Sequence, residues 1–275
     1  MKVNNNIKSI AIGSFDGIHV AHQALIARSE AVVVIERNGG YLTPGYKRTW
    51  YVDKPVCFYH FEKIKDLSPQ AFVEKLEADF PELEKIVVGY DFAFGKEKKG
   101  DGESLKRLFG GEVDIVGEIK VDGISVHSRT IKAYLKEGKI RTVNRLLARA
   151  YYIDGETVVG QGLGKKAFVP TLNLRICAYQ LPKEGVYVTR TKIDKKWYDS
   201  VSFIGHRIST DGTYAVETHV LDETIGEVRG AVGVSFLCFL RENRRFDTFE
   251  ALNAQIEEDI DRARSHFTSM KHPSI

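Results

Sequence analysis

The chain has 275 residues, 43% hydrophobic and 28% charged, an ordinary globular composition with material for a sizeable core and about two domains. Its net charge of +3 comes from interspersed charges of both signs, which suits small anionic ligands and is too diffuse for a nucleic-acid surface. No apolar run could span a bilayer, the N-terminus lacks a signal-peptide core, and three scattered cysteines form neither a disulfide framework nor a zinc knuckle. The expectation is a reduced, cytoplasmic protein with neither membrane nor nucleic-acid partners.

Ile10 to Ile12 reads as a short buried strand ending at Gly13; Asp16 and Gly17 supply turn chemistry, and Val20 to Ala27 reads as helix. Strand, glycine turn, helix is the layout that points backbone N–H groups and a helix dipole at an anion. His19 and His22 fall at i, i+3, on one side of the first turn. Two imidazole donors there suit charge developing on a phosphoryl group in a transition state. A surface helix with unrelated histidines, or a zinc pair, reads the same way.

Ala31 to Ile35 is an apolar β-branched run, the mark of a buried parallel strand, and Glu36 to Pro55 is irregular. Val56 to Tyr59 reads as a strand. Ser68-Pro69 then predicts an N-cap and first residue for a helix through Asp79, burying Phe72, Val73 and Leu76. Lys85 to Gly89 reads as strand, Gly102 to Phe109 as helix and Val113 to Val116 as strand. This alternation predicts a doubly wound parallel sheet, with ligands at the loops after Ile12 and Gly89. Ser128 is placed to N-cap a helix burying Ile131 and Leu135, with Arg129 and Lys132 near its start; Val143 to Ala150 is helical.

From Tyr151 the pattern changes to short β-rich runs, at Tyr151 to Val159, Gly185 to Ile193, Trp197 to Ile204, Tyr214 to Leu221 and Gly230 to Leu240. They predict a β-barrel, closed by an amphipathic helix from Thr248 to His266. The domain boundary falls near Arg149, giving an α/β domain at 1–149 and a barrel domain at 150–275. Gly162, Gly164 and Lys165 sit in a glycine-rich basic stretch that could wrap a polyphosphate, or be a flexible hairpin. Thr171 and Asn173 alternate on a strand, so hydroxyl and amide face one way and offer part of an oxygen shell for Mg²⁺.

The phrase G-x-F-D-G-x-H-x-x-H at 13–22 resembles the H-x-G-H signature of nucleotidylyltransferases in the form seen in bacterial FAD synthetases, with Ala21 at the usual glycine. V-G-Y-D-F-x-F-G, from Val88 to Gly95, resembles that family's second nucleotide segment. The resemblance implies nucleotide contacts at Gly13, Phe15, Asp16, Gly17 and Asp91, and a flavin contact at Phe92. Ser128 to Lys132 is similar to the S-S-T-x-I-R element that holds ATP phosphates. Here His127 and Arg129 stand at the first serine and the threonine, and Lys132 replaces the arginine without its bidentate fork. The family's F-x-P-H-P-like phrase is missing between Glu36 and Pro55.

P-T-x-N at 170–173 resembles the riboflavin kinase signature G-x-P-T-x-N, implying that Thr171 and Asn173 hold metal and phosphates; Phe168 stands at the usual glycine. Y-A-V-E-T-H-V-L-D at 214–222 resembles the kinase segment with its catalytic glutamate, implying Glu217 as general base; by alternation alone Glu217 is an outward strand residue. Leu240-Arg241 resembles the kinase's arginine before its last helix, implying a flavin or phosphate contact. Together these imply a bifunctional riboflavin kinase/FAD synthetase that makes FMN from riboflavin with ATP and Mg²⁺, then FAD and pyrophosphate from FMN and ATP. Two other readings stay open: a kinase with a degenerate N-terminal domain, suggested by Ala21, His127 and Arg129, and a non-catalytic flavin- or nucleotide-sensing module.

Overall fold

The computed structural model describes residues 6–37, 39–158, 169–209 and 211–271. Backbone contacts divide the chain into two units, Met1–Thr130 and Ile131–Ile275.

The first unit runs β1 (Ser9–Gly13), α1 (Val20–Ile26), β2 (Ala31–Glu36), β3 (Val56–His60), a short α2 (Phe61–Ile64), α3 (Pro69–Asp79) and β4 (Lys85–Gly89). A small hairpin, β5 (Ala93–Phe94) with β6 (Gly100–Asp101), leads into α4 (Gly102–Leu108) and β7 (Glu112–Val116). A second hairpin, β8 (Lys120–Val121) with β9 (Ile124–Ser125), precedes α5 (Ser128–Lys136). The five long strands form one parallel sheet in the order β3-β2-β1-β4-β7.

Alternate residues of the central strands feed two cores. Ile10, Ile12, Val33, Ile86 and Val88 pack with Phe72, Leu76 and Leu105 on one face. Ala11, Val32, Val34 and Val87 pack with Phe15, Ile18 and Leu25 on the other. Both faces are covered, so the strands read as continuous apolar runs. α3 starts as its sequence predicts, with Pro69 in the first turn and the Ser68 hydroxyl accepting from Ala71 N at 3.1 Å. Strand order reverses across β1 and β4, which opens a crevice at their carboxyl ends.

The loop between β1 and α1 is strained. Phe15 and Ile18 take φ of 48° and 40°, and left-handed backbone is costly for a β-branched residue such as Ile18. Gly17, at φ 94°, adopts its angle freely. Complete burial of the Phe15 and Ile18 side chains offsets the cost. Asp16, 5% exposed, accepts from Leu42 N at 2.8 Å and Thr43 N at 3.0 Å through one carboxylate oxygen. The irregular segment after β2 is thereby tied to this loop. Its 3₁₀ helix, Gly45–Tyr51, is held by buried Arg48, which pairs with Glu36 at 3.1 Å and donates to the Gly45 carbonyl.

The second unit begins within α5 and continues through α6 (Ile140–Leu147), which ends at Ala148 with φ 55°. Six strands follow: β10 (Tyr151–Val158), β11 (Leu172–Ile176), β12 (Gly185–Ile193), β13 (Lys196–His206), β14 (Tyr214–Val220) and β15 (Ala231–Arg241). They close as an antiparallel barrel in the order β10-β11-β14-β13-β12-β15. The helix α7 (Phe249–Lys271) runs one turn past its expected end and packs Ile260, Ala263 and Phe267 on Val186, Val188 and Val201. Inside the barrel, buried Thr191, Ser200, Thr189, Ser202 and Thr218 form a ring of hydroxyl–hydroxyl bonds at 2.7–2.9 Å. Each hydroxyl donates once and accepts once, which satisfies polar groups that burial alone would penalise.

α6 packs on β10 and β15. Ile140, Val143, Leu146 and Leu147 are at most 1% exposed. The Asn144 amide donates to the Phe236 carbonyl and accepts from Tyr151 N, both at 2.8 Å. A fragment of residues 150–275 should therefore melt well below one of 131–275, since each aliphatic side chain stripped of burial contributes about 1.5–3 kcal/mol. Equal melting temperatures for the two fragments would mean that the barrel does not depend on α6.

Candidate active sites

A cavity of about 440 Å³, the size of a small-molecule site, lies at the carboxyl ends of β1 and β4. Three distant stretches meet there: Gly13, Phe15, His19, Ala21 and His22; Gly89 to Phe92; and His127, Ser128 and Arg129. His19, 3% exposed, caps α1, its Nδ1 accepting from His22 N at 3.3 Å. With Nδ1 as acceptor, the neutral ring carries its proton on Nε2. The two imidazoles stack at 3.5 Å with 17° between planes, and Phe15 meets His22 edge-on at 5.1 Å. Stacked rings direct their in-plane lone pairs along parallel planes, which do not converge on one tetrahedral ion. Among the described residues no three His, Cys, Asp or Glu gather as a metal site. α1 has only seven residues, so the imidazoles, rather than the helix, bring the polarity.

Asp16 and Gly17 do not line this cavity. The Asp16 carboxylate is spent on Leu42 and Thr43, and its carbonyl accepts from the Ser128 hydroxyl at 2.7 Å. Ser128 is the first residue of α5 and ties that helix to the strained loop, rather than capping from outside as expected. Arg129 lines the cavity; Lys132 does not. His127 sits between Tyr90, whose hydroxyl is 3.0 Å from Nε2, and Asp91, 3.6 Å from Nδ1. Phe92 stacks on Phe94 at 5.5 Å. Tyr90 and Arg37 belong to the lining and went unnoticed in the sequence: Arg37 follows β2 in a stretch without a motif, and Tyr90 lies inside a motif that pointed to its neighbours.

The second cavity opens in the barrel. β11 pairs with β14 so that Asn173 lies opposite Glu217, and both line it with Thr171. Val169, Phe203, Ile208, Phe246 and Phe249 form an apolar wall. Arg207 crosses the polar end: Nε and Nη2 reach Glu217 Oε1 at 2.8 and 2.6 Å, and Nη2 donates to Asn173 Oδ1 at 2.5 Å. Arg241 also lines the cavity. Its Nε and Nη2 bind the buried Asp259 carboxylate at 2.7–3.0 Å and its Nη1 donates to the Glu242 carbonyl. That fork is committed to the wall, leaving the guanidinium face beside Phe246, whose ring centre is 5.8 Å away. Gly162, Gly164 and Lys165 lie outside the described residues. Arg207 and Asp259 carried no local sequence signal; their roles come from partners 10 to 34 residues away.

A riboflavin kinase family model matches residues 147–267, and an FAD synthetase model matches residues 48–130. The bifunctional riboflavin kinase/FMN adenylyltransferase of Pseudomonas fluorescens is 29% identical, over 92% of this chain and 91% of its own. The same-named proteins of Listeria monocytogenes and Escherichia coli are 28% and 25% identical, over 96% and 94% of this chain and 94% and 92% of theirs. A solved structure described as a macrolide-efflux protein from Streptococcus pneumoniae has a TM-score of 0.83 at 24% identity, covering 95% of this chain and 97% of that one. At that identity the likeness speaks for the fold alone. No helix among the described residues is long and apolar enough to cross a membrane.

Proposed function

Because the chain belongs to the bifunctional riboflavin kinase/FAD synthetase family, we propose that its barrel phosphorylates riboflavin to FMN and its α/β domain joins FMN to AMP, each with ATP. One observation carries this reading: each of the two motif sets has members lining a cavity of its own, His19, His22 and Arg129 in one and Thr171, Asn173 and Glu217 in the other. Catalysis is assigned to residues 150–275 and 1–149, with α6 serving as a base on which the barrel folds.

In the barrel, the apolar wall suits a flavin ring, with its ribityl chain toward Glu217. The Glu217 carboxylate accepts the proton of the terminal hydroxyl as that oxygen attacks the γ-phosphorus. Thr171 Oγ1 and Asn173 Oδ1, neutral oxygens lining one cavity, fit a hard cation that keeps waters and shares phosphate oxygens. A bound Mg²⁺ there would neutralise charge on the β- and γ-phosphates. Gly162, Gly164 and Lys165 are assigned to the same phosphates on their sequence.

In the α/β domain the FMN phosphate is already ionised and needs no strong base. His19 Nε2–H and His22 donate to the α-phosphoryl oxygens as charge develops on them, and Arg129 holds the rest of the polyphosphate. Asp91 and Phe92 border the adenine and flavin. Asp16 and Gly17 shape the loop rather than touch ligand. The three free cysteines fit a reducing, cytoplasmic setting.

Incubation with riboflavin and Mg·ATP, followed by separation of the flavins, should yield both FMN and FAD. FMN alone would mean a degenerate N-terminal domain, and neither product would leave a sensing module.

A further inference from the structure

We propose that Arg207 is a positioning residue of the phosphoryl-transfer site: an internal cation that competes with the divalent metal for the oxygens around Asn173 and Glu217. The inference rests on the kinase reading above. Three contacts carry it. Arg207 reaches Glu217 Oε1 through Nε and Nη2, and Asn173 Oδ1 through Nη2. Its Nη1 lies 3.6 Å from Asp211 Oδ2. The guanidinium therefore holds both a proposed metal ligand and the proposed base.

These groups are largely withdrawn from water, with Arg207 18% and Glu217 22% exposed. At such burial charges act with much less screening than in solution. A divalent ion taking Asn173 Oδ1 would meet the guanidinium at the same atom, where weakly screened repulsion between the two cations would disfavour both at once. Arg207 would then loosen its hold on Asn173 and be available to an anionic partner such as a polyphosphate. The planar fork is suited to phosphate oxygens. The main chain stays in place, because Arg207 N donates to the Thr213 carbonyl at 2.9 Å at the foot of β13.

The contacts also reach the proposed base. Both guanidinium contacts fall on Oε1 of Glu217, so the same side chain also fixes the position of the proposed base. Arg207 in this way links the metal-binding oxygen of Asn173 to the placement of Glu217.

The test is a titration of the full-length protein with Mn²⁺ in the absence of nucleotide, read by electron paramagnetic resonance of the free ion. Arg207→Ala should bind Mn²⁺ about tenfold tighter than wild type or more, because a charge competitor is gone and the Glu217 carboxylate is left without its counter-ion beside Asn173. Asn173→Ala in that background should remove the gain. In FMN formation the same variant should raise KM for Mg·ATP by more than it lowers kcat, while Arg207→Lys should return Mn²⁺ affinity to the wild-type level. Unchanged or weaker Mn²⁺ binding by a folded Arg207→Ala would overturn the proposal and leave Arg207 a structural clamp. If that variant does not fold, Arg207→Gln is titrated in its place and judged identically. A wild-type protein that makes no FMN would sink the kinase reading, and the Mn²⁺ comparison would still decide the competition between cations.

Discussion

Glu217→Gln should lower FMN formation by roughly 10²–10⁴-fold, the contribution of a positioned general base. Glutamine keeps the size of the side chain, the β14 register opposite Asn173 and an oxygen for Arg207 to bind. What it loses is the capacity to take a proton. The deficit should therefore appear in kcat, with KM for Mg·ATP within a few-fold of wild type. FAD formation from supplied FMN should be unchanged, because Glu217 lies in the second unit and the histidine pair in the first. Both assays can be run on one preparation. Kinase activity near the wild-type rate would reduce Glu217 to the counter-ion of Arg207 and take the base away from the proposed mechanism.

His19→Ala or His22→Ala should cut FAD formation by roughly 10²–10³-fold, the typical loss of one donor to a developing oxyanion. The loss belongs in kcat, since charge on the α-phosphoryl oxygens grows as the new bond forms. Riboflavin phosphorylation should be untouched. At His19 a second effect must be separated, because the same imidazole caps α1 through Nδ1. Removing a cap costs about 0.5–2 kcal/mol of stability. His19→Asn restores a capping oxygen without an imidazole, so it should recover the melting temperature lost in His19→Ala while FAD formation stays low. Recovery of activity along with stability would show that His19 only caps. Parallel loss of FMN and FAD production in a folded His22→Ala would refute two separate sites.

Much of the fold was legible because it rests on local chemistry. Ala31 to Ile35 is apolar at every position since both faces of β2 are covered, and Ser68-Pro69 starts α3 through a side-chain cap that needs nothing beyond its own turn. The barrel strands announced themselves by length, composition and turn spacing; β12 spans Gly185–Ile193 as expected. His19, His22, Thr171 and Asn173 stand in compact runs whose spacing suggests chemistry, whereas Glu217 reads by alternation as an outward strand residue and was singled out only by the family resemblance. Amphipathicity likewise showed that α6 buries one face, but a helical period says that a face is covered and not by what. Only the folded chain put that face on β10 and β15.

The sequence by itself thus determined the class of each domain, because strand periodicity, caps and glycine turns act over a few residues. The tertiary structure decided which charges meet. Asp16 reads as a ligand-binding turn residue, yet its carboxylate meets the N–H groups of Leu42 and Thr43, 26 and 27 positions away. Arg48 is buried because Glu36 and the Gly45 carbonyl receive it, in a segment where the sequence shows only irregularity. Arg207 reaches Asn173 across 34 positions because barrel closure brings β11, β14 and the end of β13 side by side. Hydrogen bonds and ion pairs depend on ångström-scale approach, and approach between distant segments is a property of the closed fold that no local pattern encodes.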